Sequence, residues 1–205
     1  MFFGQYRYPE VNAEGKIDLF LFLEASRGIE KFVELLGTAF YPVKNDIHGN
    51  IEKLLKIYNM DKEKFKYVNN IVESEINLEE EEKIGIDALL WLKRALEYIQ
   101  VFLTCFVEDY QEKKNTEDLT PYFKKAYELK LKPYHGWFVQ QLFALCIKVA
   151  PFRKDLIKLL GTGMENFNEE IIMNDIEEFL NSLNSNLEII VAMYDENNLN
   201  STKVV

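Results

Sequence analysis

Asp46, Asn50 and Lys53 follow one another at intervals of four and three residues. On a helix that spacing sets a carboxylate, an amide and an ammonium on one face. Ile47, Ile51, Leu54 and Leu55 repeat on the neighbouring face, the one a core would cover. Such a polar row both accepts and donates hydrogen bonds, which suits a ligand dense in hydroxyl groups. The plainer alternative is a solvated helix face with an acid in its first turn, favourable to the helix dipole. Two further stretches carry chemistry. Trp91-Leu92-Lys93-Arg94 puts an indole beside two cations within an apolar helix, and Lys132-Pro133-Tyr134-His135-Gly136-Trp137 brings imidazole and indole together. Taken singly, Trp91 and Trp137 also fit core packing, His135 a structural hydrogen bond, and Lys53 a surface charge. His48 reads as a solvated or capping residue.

The elements that must position these groups are helical almost throughout. Leu19, Phe20, Phe22, Leu23, Phe32, Val33 and Leu36 mark a helix over 17–36, and Pro42 stands just ahead of the helix carrying Asp46. Gly49 inside that helix costs about 1 kcal/mol against Ala, so a close approach by another helix or a ligand is expected there. Asp61 is expected to cap a helix to about residue 76, followed by an acidic connector over 77–82. The longest helix, 82–111, has two adjoining apolar stripes and must be buried on most of its circumference. Pro121 begins a helix to about residue 131, Pro133 another that continues to Val149, and Pro151 stops it. A short helix reaches Leu160, and the last long helix runs from Asn168 to Tyr194. About eight helices with short connections imply an all-α, two-layer fold, read as a single domain over 1–205. Its apolar supply exceeds what such a core requires, so the surplus either lines an apolar cavity or packs tightly.

Composition narrows the function classes. With 48 % hydrophobic residues, 15 Phe and 11 Tyr in 205 residues, the chain has enough apolar surface to fold around a core. A net charge of −10 disfavours nucleic acid, whose phosphates need clustered cations. Residues 121–160 nevertheless hold eight basic residues against Glu128 and Asp155, which suggests a face suited to anionic surfaces. Cys105 and Cys146 lie in apolar runs without metal-ligand spacing, as in a reducing compartment. Neither a signal peptide nor a membrane span is legible, so a cytoplasmic protein is expected. Asp46 and His135 could form an acid–base pair, but no nucleophile, metal or second-carboxylate motif accompanies them, so no enzyme, metal or cofactor is expected.

The three stretches, in this order and at these spacings, resemble the glycolipid transfer protein family from about Phe20 to Tyr194. The resemblance implies a non-enzymatic carrier that moves a glycosphingolipid between membranes. Asp46, Asn50 and Lys53 would then hydrogen-bond the first sugar, Trp91 would stack on it, and His135 would bond the ceramide amide. Trp137 would touch the membrane, with no protein partner specified. Relatives that carry ceramide phosphate put basic residues where Asn50 and Trp91 stand here, so the pair favours a neutral sugar. A lipid sensor or adaptor acting through a protein partner remains the other alternative. One departure stands out. The family commonly ends in an aromatic-containing Tyr-Lys-Val, whereas this chain ends Ser201-Thr202-Lys203-Val204-Val205, which leaves a C-terminal clasp on the ligand in doubt.

Overall fold

In the computed structural model, which describes residues 1–163 and 168–205, the chain is all-α as the periodicity predicts. Eight helices are found among the described residues: α1 (Leu19–Leu35), α2 (Tyr41–Met60), α3 (Val68–Glu75), α4 (Ile84–Gln111), α5 (Thr120–Lys130), α6 (Trp137–Lys148), α7 (Arg153–Leu160) and α8 (Glu169–Glu196). α4 packs against α1, α2, α3, α5 and α8, as its two apolar stripes require. Even Lys93 and Arg94 are buried within it. Phe32, Phe102, Phe106, Phe123 and Phe179 fill the centre, and Phe102 stacks on Phe123 with ring centroids 3.7 Å apart.

Local chemistry starts α1, α2 and α8. The Asp18 carboxylate accepts from the Leu21 amide at 2.9 Å to open α1, and Asn168 does the same for Ile171 in α8. Pro42 occupies the first turn of α2, where a missing N–H costs nothing. α4 has no cap of its own. Glu75 of α3 accepts from the Gly85 amide at 3.0 Å and the Ile86 amide at 2.9 Å, placing a carboxylate at the positive end of α4. The approach is so close that a Cβ on Gly85 would lie 2.6 Å from Ile71 Cγ2. At the far end of α4, buried Asp109 pairs with Arg153 of α7 at 2.6 Å. Thr116 Oγ1 donates to the same carboxylate at 2.6 Å, and Tyr122 also donates to it.

Four expectations need correcting. The helix expected from Asp61 starts only at Val68, because Leu19 N donates to Lys66 O and Val68 N to Ile17 O, both at 2.9 Å, in an antiparallel bridge. Those bonds commit Tyr67, at φ −117° and ψ 150°, to extended backbone. α6 likewise starts at Trp137 and not at Pro133: Lys132–Tyr134 form a 3₁₀ turn, and His135 is extended at φ −104°, ψ 129°. Asp46 is not in a first turn, since α2 begins at Tyr41, so the helix dipole does not account for it. Finally, of the two approaches expected at Gly49, that by another helix is not found: among the described residues a Cβ there would meet nothing within 4 Å.

Candidate functional site

A cavity of about 400 Å³ opens between α2, α4 and α6. Asp46, Asn50 and Lys53 reach it from α2, Trp91, Ala95 and Tyr98 from α4, and His135 from the bend before α6. Val139, Leu142, Phe143 and Cys146 of α6 make its remaining wall apolar. All five residues singled out as ligand-binding therefore line one space. The volume falls in the lower part of the range for ligand pockets, so a lipid with two chains must widen it.

The α2 row is set by its buried side. Ile47, Ile51 and Leu54 are fully buried, which turns Asp46 and Lys53 toward the mouth and holds Asn50 at the rim of the core. Asn50 is only 3 % exposed, and its Nδ2 has no hydrogen-bond partner. A buried donor left in this state costs about 1–3 kcal/mol, so it is poised for an acceptor brought by a ligand. Asp46 reaches solvent at the mouth, yet loss of hydration raises its carboxyl above the ordinary 3.8. Lys53 pulls it down, as does the Asn50 amide, which lies near the carboxylate but short of hydrogen-bond geometry, and Asp87 pushes it up again. Asp87 had no role in the sequence reading. It lies four residues before Trp91 on α4, lines the same mouth, and makes no ion pair among the described residues. Among the described residues, the mouth therefore holds two side-chain carboxylates against one side-chain cation, Lys53.

Across from this row, the Trp91 ring lies near-parallel to that of His135, with centroids 6.0 Å apart and planes 15° from each other. His135 Nδ1 meets the Tyr127 hydroxyl at 3.2 Å, and its carbonyl accepts from Gln140 Nε2 at 2.7 Å. Burial pushes the Tyr127 phenol up to about 12, so it stays protonated and can donate to Nδ1. Nε2 then carries the imidazole proton and can serve as donor to a carbonyl. Burial, with Arg94 nearby, lowers the His135 pKa from its ordinary 6.5, so the ring is neutral at neutral pH. Arg94, which the Trp91-Leu92-Lys93-Arg94 stretch suggested as a second cation, does not line the cavity. Its guanidinium lies 3.4 Å from the Tyr134 ring centroid and donates to Ser201 O.

That contact ties down the C-terminal segment, the point the sequence left in doubt. Val205 N donates to Tyr134 O at 3.0 Å, and Gly136 N donates to Val205 O at 2.7 Å. Val205 thus lines the cavity through backbone pairing, without an aromatic. A Cβ on Gly136 would sit 3.1 Å from Val205 O, so the seat fits glycine best. His48 points away from the cavity, with Nδ1 3.2 Å from Glu30. Beside the mouth, α6 turns Trp137 (73 % exposed), Phe138 (74 %) and Leu145 (60 %) to solvent, an apolar patch that a lone monomer in water would not favour.

Fold and cavity together define a class: an all-α protein whose apolar chamber ends in a hydrogen-bonding rim, the shape of an amphiphile site. The model of the glycolipid transfer protein family matches residues 17–162, and the chain belongs to that family. It is 35 % identical to the glycolipid transfer protein of Xenopus tropicalis over 198 residues, covering 95 % of this chain and 94 % of the relative. A solved structure describing how FAPP2 selects simple glycosphingolipids with this fold superposes with a TM-score of 0.85 at 29 % identity, covering 100 % of this chain and 99 % of that one. The human ceramide-1-phosphate transfer protein bound to its 12:0 lipid superposes with a TM-score of 0.80 at 18 % identity, covering 98 % and 95 %; that likeness concerns the fold alone. Among the described residues no helix is long and apolar enough to cross a membrane.

Proposed function

We propose that this protein, as one domain over residues 1–205, carries a glycosphingolipid between cytoplasmic membrane faces without altering it. The observation that carries the reading is the unpartnered, buried Asn50 Nδ2, flanked by Asp46 and Lys53 and facing the same cavity as Trp91. A sugar oxygen would satisfy that donor, its other hydroxyls would donate to Asp46, and Lys53 would donate to a further oxygen. A sugar's C–H face would cover the indole of Trp91. His135 Nε2 would donate to the ceramide carbonyl, and the apolar wall would take a hydrocarbon chain. Two carboxylates at the mouth support an uncharged head group. The test is movement of intact glucosylceramide between donor and acceptor vesicles with no nucleotide or metal added. Since Asp46 and Asp87 share one mouth, recovery of cleaved lipid would replace the carrier reading with a hydrolytic one. Strict dependence on ATP or a metal would also contradict it.

The exposed patch on α6 supports membrane contact through Trp137, since indole favours the water–lipid interface. Trp137→Ala should weaken adsorption to vesicles several-fold while glycolipid presented in detergent still binds. An equal loss in both assays would place Trp137 in the ligand pocket.

Acid should weaken head-group binding. The Asp46 pKa is raised in the folded protein, so its charged form costs folding stability above that pKa, and the cost disappears as pH falls through it. Binding follows the opposite sign, because sugar hydroxyls donate best to the carboxylate. Glycolipid affinity should therefore fall as pH drops through a value above 3.8, and Asp46→Asn should flatten that limb. Equilibrium binding at graded pH checks this; an unchanged profile in the variant would exclude Asp46 as its source.

A further inference from the structure

Among the described residues, Tyr98 carries the one other buried polar atom of the cavity lining that is left without a partner. It sits on α4 seven residues past Trp91, on the same face and two turns deeper. The residue is 1 % exposed. Its ring packs edge-on against Phe143 of α6, with centroids 5.5 Å apart. Burial raises its phenol well above the ordinary 10.0, and Cys146 and Tyr127 lie close enough to add to the rise. Both of those neighbours are engaged elsewhere. Cys146 Sγ donates to Ala39 O at 3.0 Å, and the Tyr127 hydroxyl is committed to His135 Nδ1. A neutral phenol that could both donate and accept is therefore enclosed in the apolar wall with no partner. Phe would fill the same space and avoid the cost of an unpaired hydroxyl.

We infer that Tyr98 is a recognition site for a hydroxyl group on the hydrocarbon part of the lipid, close to the ceramide amide. The inference rests on the glycosphingolipid reading above. Tyr98 lies beside Tyr127, and Tyr127 holds His135, the residue that would bond the amide, so the hydroxyl it meets must lie within a few carbons of that amide. Besides the 3-hydroxyl that ordinary sphingoid bases share, which cannot distinguish one ceramide from another, two positions meet this condition: carbon 2 of the acyl chain and carbon 4 of the sphingoid base. Either is a hydroxyl entering an apolar chamber, and each needs a partner there as much as Tyr98 does. Widening of the gap between α4 and α6 to admit a chain would bring the two together. The site then selects hydroxylated ceramides from the body of the lipid, independently of the sugar.

Three glucosylceramides of matched chain length test this: one without the extra hydroxyl, one with a 2-hydroxyacyl chain, and one on a 4-hydroxysphinganine base. Native protein should bind one of the hydroxylated lipids about fivefold to tenfold tighter than the plain one, and which one identifies the position. Tyr98→Phe should bring that ratio to about one, by lowering affinity for the preferred hydroxylated lipid toward that for the plain one. The lipid-free variant should melt at or above the native temperature, since an unpaired hydroxyl has been removed. Equal native affinities for all three lipids would overturn the inference and leave the glycolipid reading intact. So would a preference that survives in Tyr98→Phe, or a variant that melts several degrees lower. Failure of native protein to bind any of the three would overturn the glycolipid reading and this inference with it.

Discussion

Changing Asn50→Lys together with Trp91→Arg should invert head-group preference, from about tenfold in favour of glucosylceramide to about tenfold in favour of ceramide phosphate, a swing of about 2.8 kcal/mol. Native protein presents a phosphate with Asp46 and Asp87 against Lys53 alone. Arg94, buried 4.9 Å from the Trp91 ring centroid, softens that field but does not reach the phosphate, because it does not line the cavity and is held under Tyr134 by its bond to Ser201 O. Like charge in a partly dry mouth opposes a phosphate, and neither a neutral amide nor an indole face compensates. The double change supplies two cations where the sugar would have met Asn50 Nδ2 and the ring of Trp91. Phosphate binding should rise and sugar binding fall together. Competition between lipids of matched acyl chains measures the swing, since cavity effects cancel. A native preference for ceramide phosphate would overturn the sugar assignment and leave family membership untouched.

Asp46→Asn should cost about 1.5–3 kcal/mol of glycolipid binding, the range for a hydrogen bond to a charged group. The substitution keeps size and shape and removes acceptor strength and charge. Folding should not suffer. Lost hydration already works against the carboxylate in the folded state, so a neutral amide in its place should melt at or above the native temperature near neutral pH. That separates a binding defect from a folding defect. Equal affinity in the two proteins, both folded by circular dichroism, would remove Asp46 from the site.

What was legible in the sequence follows the reach of the interactions involved. The Asp46, Asn50, Lys53 row could be read because helix geometry fixes it locally, and α4 because its two apolar stripes leave little of its surface for water. Asp87 was readable by the same rule, standing four residues before Trp91, but an acid in the first turn of a helix is ordinary enough to pass as a dipole contact. The unpartnered hydroxyl of Tyr98 was hidden inside an apolar stripe, where tyrosine counts as hydrophobic. The late start of α6 and the seat of Val205 could not be read at all. Both depend on backbone bonds between residues 134–136 and 205, which no local pattern announces. The same holds for the Glu75 cap on α4, made from a different helix. The helix expected from Asp61 failed for a related reason, since pairing with the start of α1 overrode local preference.

The central claim is that the resident ligand is a glycosphingolipid, and native mass spectrometry of protein purified from its own cells tests it most directly. The account predicts a one-to-one complex whose added mass is a glycosylceramide, released intact when the protein is unfolded. A ceramide phosphate, or a lipid without a sphingoid base, in that complex would contradict it.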